Sequence, residues 1–166
     1  MLKKLLILFI AIAPVAVVAQ NVQIAVVNSQ EIFDAMPELS DVERQLADRM
    51  QQMEATVQEL QTLGNTRITE YHALPPETSD AIRQEREREI MQISERLQTF
   101  VQQSQQELVI LEFTLLEPVR TRIADAIAAV ANEGGYTFVF ERGVPLFVND
   151  NAVDITPRVR ARLGLR

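Results

Sequence analysis

The side chains with chemical reach are few, and their spacing is poor for catalysis. His72 is the only histidine, and there is no cysteine. One imidazole with scattered carboxylates supplies no set of transition-metal ligands. Ser29 and Ser104 have no base close in sequence that would activate a hydroxyl nucleophile. Gly134-Gly135 follows an apolar helical pattern instead of leading from a strand into a helix, so the pair is no phosphate loop. The densest charge lies at Arg83, Glu85, Arg86, Glu87, Arg88 and Glu89. Arg83, Arg86 and Arg88, with Arg96 further on, are the candidates for contact with an anion. Their interleaved acids read instead as a solvated helix face laced by i,i+4 pairs. The sequence thus points away from an enzyme, and it implies no cofactor and no metal.

The elements that carry these residues are easier to read than their chemistry. Residues 1–19, "MLKKLLILFIAIAPVAVVA", have a basic start at Lys3 and Lys4, an apolar run and small residues before a cut. That pattern is a secretory signal peptide. Its removal leaves 147 residues, enough for one domain (20–166), with 14 arginines against 23 carboxylates, a net charge of −9. An acidic chain argues against nucleic acid as a partner and against general attraction to anionic membranes. No other stretch is long and apolar enough to span a bilayer, so no stable membrane insertion is expected.

Residues 22–28, "VQIAVVN", read as a strand, and 29–36 as a short helix with Ser29 as its cap. Two long helical stretches follow, Glu38 to about Tyr71 and about Ser79 to Asn132, separated at Pro75-Pro76. Their apolar residues recur in steps of three and four, a coiled-coil seam. The seam residues are Leu46, Met50, Met53, Val57 and Leu60 on the first helix, and Ile90, Ile93, Leu97 and Phe100 on the second. Folding the chain back about position 75 makes residues face each other when their numbers add to 150. Met50 then meets Phe100, Met53 meets Leu97, Val57 meets Ile93, Leu60 meets Ile90 and Ile68 meets Ile82. Leu46 meets Ser104, a mismatch. A heptad pattern allows the same mirror at every seventh sum; this centre is chosen because it falls on the proline break. The result is an antiparallel helical arm over 39–115, roughly 50 Å long at ~1.5 Å per residue.

Pro118 interrupts the hydrogen-bond ladder of the second helix and marks a kink or a junction. Beyond it, Val119, Ile123, Ile127 and Val130 widen the apolar face until Gly134-Gly135 ends the helix. Then comes "GGYTFVFERGVPLFVN" at 134–149, which reads as a β-hairpin of Tyr136–Phe140 and Val144–Val148 turning at Arg142-Gly143. A last helix starts with Thr156 as cap and Pro157 as first residue. The body, 20–38 with 116–166, is too small to bury Phe138, Phe140 and Phe147 within one chain, so several copies are expected to join their strands.

Three stretches carry a resemblance to a known family: "IAVVNSQEIFDAMPE" at 24–38, "LEPVRTRIADAIAAVANEGGYTFVFERG" at 116–143 and "DITPRVRARL" at 154–163. The chain resembles the OmpH/Skp family of periplasmic chaperones over essentially its whole mature length. The resemblance implies an α+β fold: a long helical hairpin on a small β body that assembles as a homotrimer. It implies an ATP-independent holdase, located in the periplasm, that keeps unfolded outer-membrane proteins between its arms. Ile24, Val26, Phe138, Phe140 and Phe147 would form the assembly core. The well-studied members are basic and lysine-rich, and a basic site has been proposed on their returning arm. This mature chain is acidic and lysine-free, and the glutamates beside Arg83, Arg86, Arg88 and Arg96 on its returning arm count against lipopolysaccharide as a partner. The rival reading is a secreted trimeric coiled-coil scaffold or adaptor that binds one folded partner.

Overall fold

A computed structural model describes residues 22–149 and 151–165. The leader peptide expected over 1–19 lies outside the described residues. The elements run β1 (Ile24–Val27), α1 (Ser29–Asp34), α2 (Leu39–His72), α3 (Asp80–Gly134), β2 (Phe138–Glu141), β3 (Val153–Asp154) and α4 (Thr156–Leu163).

Helix α2 is rich in Gln, Glu, Leu and Arg, residues that lose little rotamer freedom in a helix. It ends at His72, and Pro75-Pro76 lies in the connection to α3. Ser79 is the N-cap of α3 in extended conformation, and α3 runs unbroken as one element through Pro118. Gly135 ends it at φ 67°, a left-handed conformation that costs glycine little. Pro118 is where α3 passes from arm to body, for Val119, Ile123, Ala126 and Val130 beyond it enter the main core.

The sheet differs from the expected hairpin. Its order is β2-β1-β3, and both outer strands run parallel to β1. Ile24 pairs with Phe138 and Val26 with Phe140. The segment 144–148 forms no strand. Pro145 within it has no N–H to donate to a ladder. The chain after β2 instead crosses the sheet face remote from the helices and returns on the far side of β1 as β3. Parallel strands need such crossovers. Alternation along β1 splits the sheet. Ala25 and Val27 point into a core shared with Ile32, Met36, Val119, Ile123, Val130, Ile155 and Val159. Ile24, Val26, Phe138 and Phe140 take the other face.

Two caps shift by one residue from their expected positions. Asn28 caps α1, its side chain accepting the Glu31 N–H at 3.1 Å, while Ser29 is already helical. The Ser29 N–H donates to both carboxylate oxygens of Glu141 at 3.1 Å, which ties the helix start to the end of β2. Thr156 is the first residue of α4, with Ile155 before it as the cap. Its hydroxyl oxygen accepts the Asn28 N–H at 2.9 Å, and Asp154 accepts the Thr156 N–H at 2.9 Å.

Candidate functional site

The arm is set by its register, and here the structure departs from the sequence by one heptad. A Cβ on Gly64 would lie 3.5 Å from Ile93. Arg49 pairs with Glu107 at 2.7 Å, and Tyr71 donates its hydroxyl to Glu87. Facing residues therefore have numbers that add to 156–158 instead of 150. The connection absorbs the difference: the Thr78 N–H bonds the Pro75 carbonyl, and Arg83 reaches back to that same carbonyl at 2.7 Å. Helix α3 thus starts beyond the level at which α2 ends.

The new register changes which residues touch. Ser104 comes to the level of Met53, and both are buried. Leu60, at the level of Leu97, is buried too. Leu46, Val57, Ile90, Ile93, Leu97 and Phe100 are half-buried along the same seam. Met50 is not in the seam: it is 56% exposed, and half-buried Arg49 takes the inner position beside Glu107. Ile68 and Ile82, facing partners in the sequence register, are both exposed. Toward the tip the interface turns polar, with Gly64, Arg67 and Tyr71 half-buried along α2. The hydrogen bond to Glu87 raises the pKa of Tyr71 above its ordinary value, since the protonated phenol is the form that donates.

The four candidate arginines do not converge. Arg86 pairs with Glu89 and Arg88 with Glu85, each at 2.8 Å, while Arg83 serves the loop carbonyl. Arg96 borders a shallow groove with Leu63, Arg67, Glu89, Gln92 and Ile93. His72 is exposed at the end of α2, its ring edge-on to Tyr71. Among the described residues no group of three or more His, Asp or Glu is placed to hold a metal ion.

Among the described residues two apolar surfaces stay open. The first is the outer sheet face. Val26 is buried there, whereas Phe138 is 53% and Phe147 79% exposed, and Ile24 and Phe140 are also exposed. The rings of Phe138 and Phe140 stack at 6.1 Å between centroids. The crossover adds Val144, Pro145 and Val148 around a cavity of about 440 Å³. Among the described residues, strands β2 and β3 each have β1 as their one neighbour, which leaves their outer edges open for pairing. The second surface is on α3 near the arm base, away from the seam. Val109, Ile110 and Phe113 are 67%, 65% and 60% exposed, and Arg120 lies 6.0 Å from the Phe113 ring centroid. Sequence reading for the seam passes over these three residues. The signal was the apolar excess in "LVILEFTLL" at 108–116, more than a two-per-heptad seam can use.

The family model for outer membrane proteins of the OmpH-like type matches residues 23–163. Chaperone protein Skp of Yersinia enterocolitica is 27% identical over 140 residues, which cover 84% of this chain and 85% of that protein. Chaperone protein Skp of Pectobacterium atrosepticum is 29% identical over 140 residues, 82% of each chain. A crystal structure of an OmpH-like protein from Caulobacter crescentus CB15 superimposes with a TM-score of 0.71, covering 86% of this chain and 83% of that one. Its 18% identity speaks to the fold alone. Among the described residues no helix is long and apolar enough to cross a membrane.

Proposed function

The chain belongs to the OmpH-like outer membrane protein family, whose relatives here are Skp chaperones, and from that premise we propose that it is an ATP-independent periplasmic holding chaperone for unfolded outer-membrane proteins. The leader-like residues 1–19 support export. The observation that carries the reading is the arm surface. A narrow seam holds α2 to α3, and apolar side chains outside it, among them Met50, Met91, Val109, Ile110 and Phe113, stay in water. A soluble chain gains nothing in its own fold from such exposure. An unfolded client covering these side chains would remove apolar area from water at each contact.

Three copies would join through the open sheet face and the free edges of β2 and β3, burying Ile24, Phe138, Phe140 and Phe147 and setting the arms around a shared space. Holding without nucleotide needs many weak contacts, since their sum gives avidity while each exchanges quickly. Preferential binding to the unfolded chain lowers the concentration available to aggregate. With Arg86 and Arg88 committed to Glu89 and Glu85, the arm offers no strong anion site, and client contacts are apolar and hydrogen-bonding in character.

The test is suppression of aggregation of an unfolded β-barrel membrane protein diluted from urea. The full chain is compared with one in which residues 50–107 are replaced by a short turn joining Arg49 to Leu108. The full chain should keep the client soluble, and the shortened one should assemble but fail to protect. Equal protection by both would place holding outside the arms.

A further inference from the structure

The arm meets the body at one level, where α2 follows a tight turn anchored by buried Met36 and α3 carries Pro118. Helix α2 begins at Leu39, directly after the non-helical residues 35–38. In the observed register Leu39 lies level with Pro118. That proline has no N–H, so the carbonyl of Thr114 lacks its ordinary helical partner. The Thr114 hydroxyl also bonds back to the Ile110 carbonyl at 2.7 Å, a contact that favours helix bending. One side chain spans this plane. Arg122, a turn beyond Pro118 on α3, forms an ion pair with Glu38, whose backbone carbonyl starts α2 by accepting from Asp41 and Val42. The same guanidinium donates to the carbonyl of Leu163, the last residue of α4, at 3.4 Å. The second carboxylate oxygen of Glu38, Oε2, is buried with no hydrogen-bond partner among the described residues.

We propose that Arg122 is a positioning residue for the arm: it latches the start of α2 and the end of α4 to α3 and so fixes the inclination of the arm on the body. The unpartnered Oε2 makes the latch conditional. The Glu38 side chain is partly exposed, with this one oxygen turned inward beside the guanidinium, and without Arg122 that oxygen gains by turning out to water. That movement takes the first residue of α2 with it and leaves the arm to pivot at Pro118. The latch also joins the arm to the helix that follows edge strand β3. What neighbouring copies do at that edge is thereby passed to arm angle. The inference goes beyond client holding and stands independently of it, since it concerns a distance within one chain.

The chain lacks cysteine, so spin labels can be placed at Gln98→Cys on the arm and Arg158→Cys on α4. Both sites are exposed. One doubly labelled chain is diluted among unlabelled copies, and the distance distribution is recorded by pulsed electron resonance. Gln98 lies roughly 30 Å along α3 from Pro118, so a tilt of about 10° shifts it by about 5 Å. Arg122→Gln and Glu38→Gln should each broaden the distribution on that scale while circular dichroism stays unchanged. High salt should broaden the wild type toward them, because the pair is half-exposed and therefore screened. The charge swap Glu38→Arg with Arg122→Glu should narrow the distribution again. Unchanged distributions in the single variants, a response to one partner only, or a swap as broad as the singles would each overturn the latch.

Discussion

Helix α3 lives in two environments, and the contrast between them organises the molecule. From Asp80 to Leu115 its buried residue is Ser104, whereas over the next 15 positions Leu116, Val119, Ile123, Ala126 and Val130 are all buried. The arm has one partner helix and a seam two residues wide per heptad. The body surrounds the same helix with β1, α1 and α4. Burial of apolar area is what opposes chain entropy, so the body should be stable and the arm should open locally. The proposed holding function would use that division, with a fixed base for assembly and a mobile surface for clients.

The comparison breaks most visibly at the open sheet face. Phe138→Asp should dissociate the assembly, because each copy would place a carboxylate without a partner in a shared apolar core, at a cost of at least several kcal/mol. Sedimentation velocity would read this directly. A variant that remains assembled with unchanged stability would remove Phe138 from the interface.

A smaller effect separates the two halves of the fold. Ile123→Ala, in the body, should cost about 3–4 kcal/mol and lower the urea midpoint of the whole molecule. Met53→Ala, buried on the arm, should cost about 2 kcal/mol or less, because the two-helix seam can close around the smaller side chain. Amide exchange sharpens the distinction. The arm substitution should speed exchange in α2 and the outer part of α3 while the sheet stays protected. Equal acceleration in both halves would mean that arm and body unfold as one unit.

The smallest effect is expected at the arm arginines. Arg83, Arg86, Arg88 and Arg96 changed together to Gln should leave the urea midpoint nearly unchanged, since exposed pairs contribute little. Client affinity should change by less than about tenfold, and it should depend weakly on salt between low and moderate ionic strength. An affinity that collapses with salt or with these four changes would give the arm a dominant basic site despite its acidic neighbours.

Much of this architecture is written locally. The break at Pro75-Pro76, the helix end at Gly134-Gly135, the change of character at Pro118 and the strand at 24–27 follow from residue types whose backbone preferences act within a few positions. The family is legible for the same reason, since its characteristic stretches are short runs in the body. Other features were decided by tertiary structure. A heptad pattern looks the same after a shift of seven, so the sequence could not distinguish one facing of the arm helices from the next. The Arg49–Glu107 and Tyr71–Glu87 contacts and the path of the tip connection select the register. That choice moves Met50 out of the seam and brings Ser104 opposite Met53. The sheet went the same way. "TFVFERGVPLFV" has a hairpin's composition, but β2 finds its partner in β1, more than a hundred residues earlier. Strand pairing is decided by what lies on both sides of a strand. Here β1 presents Ala25 and Val27 to the core under the helices, and β2 and β3 flank it in parallel. Local sequence determines which segments become helix or strand, whereas facing and neighbour depend on contacts between distant segments that no short window contains.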